Sequence, residues 1–396
     1  MGTTLKRLVR LDVLLITSGL WFLAKGLRYA FPPLFEPLQG IYGVSTTELG
    51  FAYTGFMICY AAMQFPSGVL QDRFGPVRVM VAGGAVASLA AVLLFIEAGF
   101  VLLVVVMLVI GTATGLHKTV SIPLLSRVYP THTGRAFGFH ETFGSLAGVV
   151  APILAVFFLL RTGWRSFYVV AGVFGLTLAT LAVLRIPPRL SSPSSEDAGP
   201  SPKVLEYANL FRSPQLTAFV VLTSLFAFAY NGLVAFLPLY LVDVGGMDVA
   251  LATLLYSALF AVTIVQIVTG ELSDRVGQLA MMAVCIVLGV LGMAGMLVST
   301  TTVVLVGAVI AFGLGGHGFR PVRDAYLARI IPDDAIGGGI GLIRSVLMGA
   351  AAIAPLTVGF LADATGFRPA FGVLAASLVL SGVTLGVVTL TDRRQG

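Results

Sequence analysis

The stretch PSGVLQDRFGPVR at residues 66–78 returns as VTGELSDRVGQ at 268–278, with its distinctive residues in register. Gly68, Asp72, Arg73 and Gly75 are matched by Gly270, Asp274, Arg275 and Gly277, every pair 202 residues apart. Each copy follows one long apolar run and precedes another. A loop has therefore been duplicated together with its flanking segments, and repetition on that scale outranks any local signal. Arg127 and Pro130 match Arg329 and Pro332 at the same offset, and Lys118 matches Arg320. The chain is built as two related halves.

Composition then names the solvent. Hydrophobic residues make up 57% and charged residues 11% of the 396, with a mean hydropathy of +0.98, whereas an ordinary soluble domain is about 25% charged. Crossing a hydrocarbon layer about 30 Å thick takes roughly 20 apolar residues. Twelve runs qualify: 11–34, 46–71, 77–97, 100–128, 134–160 and 164–185, then 214–243, 248–273, 278–299, 302–330, 335–363 and 369–391. The expected fold class is all-α, a polytopic membrane protein with twelve transmembrane helices in two six-helix pseudo-repeat halves. The halves are 1–186 and 214–396, joined by a Pro-, Ser- and charge-rich cytoplasmic linker at 187–213, within which 203–211 can form a short interfacial helix. Met1–Arg10 resembles the start of a signal peptide, but Lys25 and Arg28 follow and no small-residue cleavage site does, so span 1 is read as retained.

Charge placement sets the expected orientation. With the N-terminus inside, fifteen cations fall in cytoplasmic segments and only Arg161, Arg165 and Arg368 fall outside, as the positive-inside rule demands. Both termini are then cytoplasmic and the membrane is the cell's plasma membrane. The net charge of +6 is accounted for by topology, so a nucleic-acid partner has no support. Cys59 and Cys285 sit inside apolar runs as packing residues, with neither a disulfide framework nor a metal site implied. There is no phosphate-binding loop and no nucleophile with a positioned His, so an enzyme is not indicated and no cofactor is called for.

The pattern G-x-x-x-D-R-x-G followed by a basic residue is carried by Gly68, Asp72, Arg73, Gly75 and Arg78. A weaker copy, without the trailing cation, sits at Gly270, Asp274, Arg275 and Gly277. With twelve spans, inside termini and a central linker, the chain resembles the major facilitator superfamily over essentially its whole length. The resemblance implies that spans 1, 4, 7 and 10 line a central cavity about which two halves rock. It also implies a conformational latch, in which Asp72 holds span 2 against the positive N-terminus of span 11 and Asp274 faces span 5. The plainer alternative is that these residues shape a tight, solvated turn.

Six cations remain inside the spans: Lys25 and Arg28 on span 1, Lys118 on span 4, Arg320 and Arg323 on span 10, and Arg344 on span 11. Only Glu141 and Asp324 oppose them. A charge at mid-bilayer costs roughly 2.5–3.5 kcal/mol on insertion scales and so marks a pathway or a partner. Lys25 and Arg28 share a helix face, as do Arg320 and Arg323, while Arg320 and Asp324 stand four apart and can pair. Arg and Lys suit carboxylate or phosphate recognition, and Tyr230 and Asn231 on span 7 add hydrogen-bonding groups. Glu141, Asp324, His117 and His140 are the candidate proton carriers, although each His can equally be a packing residue.

The expected function is secondary active transport of a small organic anion, a mono- or dicarboxylate, by alternating access with proton symport. The anion, H+ and the lipid bilayer are its partners, and the chain works as a monomer. Drug/proton antiport is the alternative raised by GSLAGVVAP at 144–152, a degenerate version of an antiporter motif with Ala151 and Ala155. Inorganic-anion transport or exchange also stays open, and a non-transporting sensor would need a larger extramembrane domain than the linker offers. No subfamily pattern is complete. Arg28 is similar to the span 1 Arg of anion/cation symporters, but span 7 lacks a cation. Nitrate transporters' Arg residues on spans 2 and 8 are missing, and Arg344 meets half of the oxalate/formate pattern.

Overall fold

The computed structural model describes residues 3–187, 190, 209–331 and 336–392, with the side chains of 3–9, 65, 118 and 336–341 outside that description. Among the described residues there are fourteen α-helices and no strand. In order they are α1 (Thr3–Tyr29), α2 (Phe35–Tyr42), α3 (Thr46–Phe74), α4 (Pro76–Leu93), α5 (Phe100–Val128), α6 (Thr133–Arg161) and α7 (Trp164–Arg185). Then come α8 (Pro214–Asp243), α9 (Val249–Ala261), α10 (Val265–Val276), α11 (Gln278–Val298), α12 (Thr302–Ile330), α13 (Ile336–Thr365) and α14 (Phe367–Asp392). Ten helical stretches are long and apolar enough to cross a membrane by length and composition. The other two expected spans are α1 and α3, equally long at 27 and 29 residues but richer in charged and polar side chains.

The helices group into two compact units, Met1–Val44 with Gly55–Ala198 and Ser45–Thr54 with Gly199–Gly396. In the first, α1 packs on α6 and α7, and α4 packs on α5 and α7. In the second, α8 packs on α13 and α14, and α11 packs on α12 and α14. The partners correspond span for span, so the duplication seen in the loops extends to the packing.

Two expected spans are interrupted. The run 11–34 ends as a helix at Tyr29, and a 3-10 turn at Pro32–Leu34 leads into the separate helix α2. Pro32 and Pro33 lack the backbone N–H groups that would continue the ladder. The run 248–273 is broken by a 3-10 turn at Val262–Ile264, where Thr263 Oγ1 donates to the Phe260 carbonyl at 2.6 Å. Such a hydroxyl competes for acceptors the helix would otherwise use. Most of the predicted linker, with its interfacial helix, lies outside the described residues. The part described is a 3-10 turn at Asn209–Arg212, followed by Ser213, whose side chain accepts from Leu216 N and caps α8.

The duplicated loops are one-residue joints. Gly75 alone separates α3 from α4 and Gly277 alone separates α10 from α11, with φ of +86° and +94° in a region that is essentially closed to side chains. Gly366, at φ +91°, is the only residue between α13 and α14. It ends a third copy, GFLADATG, in which Gly359, Asp363 and Gly366 keep the spacing of Gly68, Asp72 and Gly75. Without an Arg after the Asp, that copy escapes the motif. Its carboxylate accepts from Thr46 N at 3.1 Å, Thr47 N at 2.6 Å and Thr47 Oγ1 at 2.5 Å. A negative charge on the orphan N–H groups of a helix start is favourable, and this grip ties the first turns of α3 to α13.

Candidate functional site

In the first unit, five side chains from three helices converge. Trp21 and Lys25 stand one turn apart on α1, His117 comes from α5, and His140 and Glu141 come from α6. The rings of Trp21, His117 and His140 are buried and lie nearly parallel in a triangle, with centroids 5.7 to 5.8 Å apart. His117 Nε2 stands 3.1 Å from the Thr17 carbonyl. A carbonyl only accepts, so that nitrogen carries the proton. His140 Nδ1 is 3.4 Å from Ser18 Oγ. Lys25 Nζ sits 4.8 Å above the Trp21 ring and 3.4 Å from Glu141 Oε2, with Lys25 18% and Glu141 52% exposed.

Glu141 and His140 are thus neighbours in sequence with different work: one faces Lys25, the other the ring triangle. Trp21 went unread in the sequence, where the available signal was an aromatic one turn before a Lys inside an apolar run. The Arg28 guanidinium lies 5.4 Å from the centroid of Tyr29 and 5.9 Å from that of Tyr60 on α3, and Tyr60 was likewise missed. The side chain of Lys118 lies outside the described residues.

In the second unit, Asp324 is held by the neighbouring Arg323, with Oδ1 2.8 Å from Nη2 and 3.0 Å from Nε. Two donors on one guanidinium converge on one oxygen, and the expected pairing of Asp324 with Arg320 gives way to that grip. Arg320 instead lies over the ring of Tyr230, 4.6 Å from its centroid, in cation–π geometry. Tyr230 Oη is 3.4 Å from His317 Nε2, a contact between α8 and α12 that the sequence did not disclose. Asn231 Nδ2 donates one turn back to the Ala227 carbonyl at 2.9 Å. Arg344 is exposed on α13.

The loop residues are placed apart from these clusters. Asp72, Arg73 and Arg78 are exposed and Gly68 is half-buried, with the Arg73 guanidinium 5.3 Å from the Phe74 centroid. Asp274 is exposed, and Arg275 pairs with Glu271 at 2.5 Å along α10. The start of span 11, where the latch was expected to act, falls on residues outside the description. Among the described residues no three metal-ligating side chains gather.

The chain is similar to known transporters. The model of the Major Facilitator Superfamily matches residues 17–300 and 251–396. The "Probable sulfoacetate transporter SauU" of Cupriavidus necator is 26% identical over 385 residues, spanning 88% of this chain and 85% of that protein. The hexuronate transporter of Bacillus subtilis is 24% identical, spanning 85% of this chain and 84% of its own. Among solved structures, a variant of the nucleoside transporter NupG superposes with a TM-score of 0.82 at 15% identity, covering 96% of this chain and 99% of that one. With the family model matched across nearly the full length and the pairing of helices repeated in both halves, the chain is a multi-pass membrane protein and belongs to the Major Facilitator Superfamily.

Proposed function

We propose that this transporter moves a small organic anion, a mono- or dicarboxylate, across the plasma membrane by alternating access in symport with protons, acting as a monomer with both termini cytoplasmic. The observation that carries the reading is Arg320. It is a guanidinium in a membrane-spanning helix, seated on an aromatic face, while the carboxylate one turn away is engaged by Arg323. A cation so placed is stabilised by a solute of opposite sign. Lys25 has Glu141 as its counterpart; Arg320 is the leading anion ligand, joined by Arg28 on its tyrosine rings, with Lys118, Arg344, Tyr230 and Asn231 as supporting groups.

The names of the relatives support the same charge. Sulfoacetate, a hexuronate, and the L-galactonate of a 27% identical Escherichia coli protein, matched over 35% of this chain, are all anions at neutral pH. For the proton, Glu141 is the leading carrier: protonation would release Lys25, and the His117–Trp21–His140 triangle stands beside that pair.

A thermal-shift panel tests the cargo. Purified wild type, Arg28→Ala and Arg320→Ala are heated with sulfoacetate, glucuronate, galactonate, phosphate, nitrate and lipophilic cations. Stabilisation of the wild type by one carboxylate, lost in both variants, is the expected outcome. Stabilisation by lipophilic cations alone would overturn the proposal in favour of drug/proton antiport.

A further inference from the structure

Arg320 does not rest on Tyr230 by itself, because the ring beneath it is clamped. Phe312 stacks on Tyr230 at a centroid separation of 6.1 Å, and His317 meets it edge-on at 5.9 Å. The backbone of Gly316 lies so close that an added Cβ would meet Tyr230 Cε2 at 2.6 Å and Cδ2 at 2.7 Å.

Hydrogen bonds tie this clamp to a third element. Thr263 has one hydroxyl proton, directed to the Phe260 carbonyl at 2.6 Å. With its proton so directed, the Thr263 oxygen accepts from the His317 imidazole, lying 3.2 Å from Nδ1 and 3.4 Å from Nε2. On its other side the imidazole reaches Tyr230, whose Oη lies 3.4 Å from Nε2, so a hydrogen bond joins ring and phenol.

We infer that His317 is a positioning residue for anion recognition: anchored by Thr263 at the break in span 8, it fixes Tyr230, whose ring face orients the Arg320 guanidinium. The three links join α12, α8 and the 3-10 turn between α9 and α10, so a helix interruption becomes the footing of a binding cation. The inference rests on the reading of Arg320 as an anion ligand, and the experiment separates the two.

Full-length purified protein is treated with phenylglyoxal, and the labelling rate of Arg320 is read by peptide mass spectrometry against exposed Arg135 as internal reference. Tyr230→Phe, which keeps the ring and removes the hydroxyl, and His317→Leu should each raise the Arg320 rate several-fold. His317→Gln, which restores an amide able to donate or accept, should return it towards wild type while Arg135 stays constant. If His317→Leu does not fold, Tyr230→Phe and His317→Gln decide alone. Equal Arg320 rates in all folded variants would overturn the positioning role. Sulfoacetate and glucuronate are then added to wild type. Protection of Arg320 by either supports its role as anion ligand, whereas variant-dependent labelling without protection by either overturns that role and leaves the positioning chain intact.

Discussion

Lys25 and Arg323 each face a carboxylate, whereas Arg28 and Arg320 are set against tyrosine rings. Cation–π contacts are worth about 0.5–1 kcal/mol when exposed and about 2 or more when desolvated, and unlike an ion pair they leave the charge itself unneutralised. This distinction gives two predictions at single residues. Gly316→Ala drives a methyl into the Tyr230 ring, so carboxylate stabilisation in the thermal panel should fall severalfold while the protein still folds. Glu141→Gln removes the proposed proton carrier. Wild-type uptake into proteoliposomes should rise as the outside pH is lowered, and the variant's uptake should be flat across the same range. The cations inside the spans were legible in the sequence because charge is conspicuous in apolar runs. Their seats were not, since Tyr230 and Arg320 stand far apart in the chain and ordinary tyrosines in a helix carry no mark of what they will face.

At the scale of helices, the joints and caps are the features whose energy can be tested. Gly277 holds a backbone conformation that costs any other residue about 1–3 kcal/mol, so Gly277→Ala should lower the thermal midpoint, and Gly75→Ala should do the same at the matching joint. Asp363→Ala deprives the start of α3 of three hydrogen bonds and should cost about 0.5–2 kcal/mol by the measure of helix caps, with faster amide exchange at Thr46 and Thr47 as the local reading. Asp363→Asn should recover part of both. The positions of the glycine turns were visible in sequence through the repeated spacing. The break at Val262–Ile264 was not, because a single Thr in an apolar run has no local signature until the acceptor it takes is known.

For the molecule as a whole, the duplicated loop and the apolar runs together disclosed twelve helices in two related sets before any coordinates, because a bilayer admits so few alternatives to the spanning helix. Function was less legible: the proposed sign of the cargo rests on cations placed inside the spans, and its identity depends on shape. The proposed latch belongs to this scale. Asp72→Asn should slow uptake while leaving carboxylate stabilisation in the thermal panel unchanged, and an undiminished turnover would reduce the loop to a turn. The one-residue joints at Gly75, Gly277 and Gly366 also bear on how such a protein can move. A reversal made in one residue keeps the two helix ends within about two Cα–Cα steps of each other, so a displacement of one end at that membrane face must carry the other end with it.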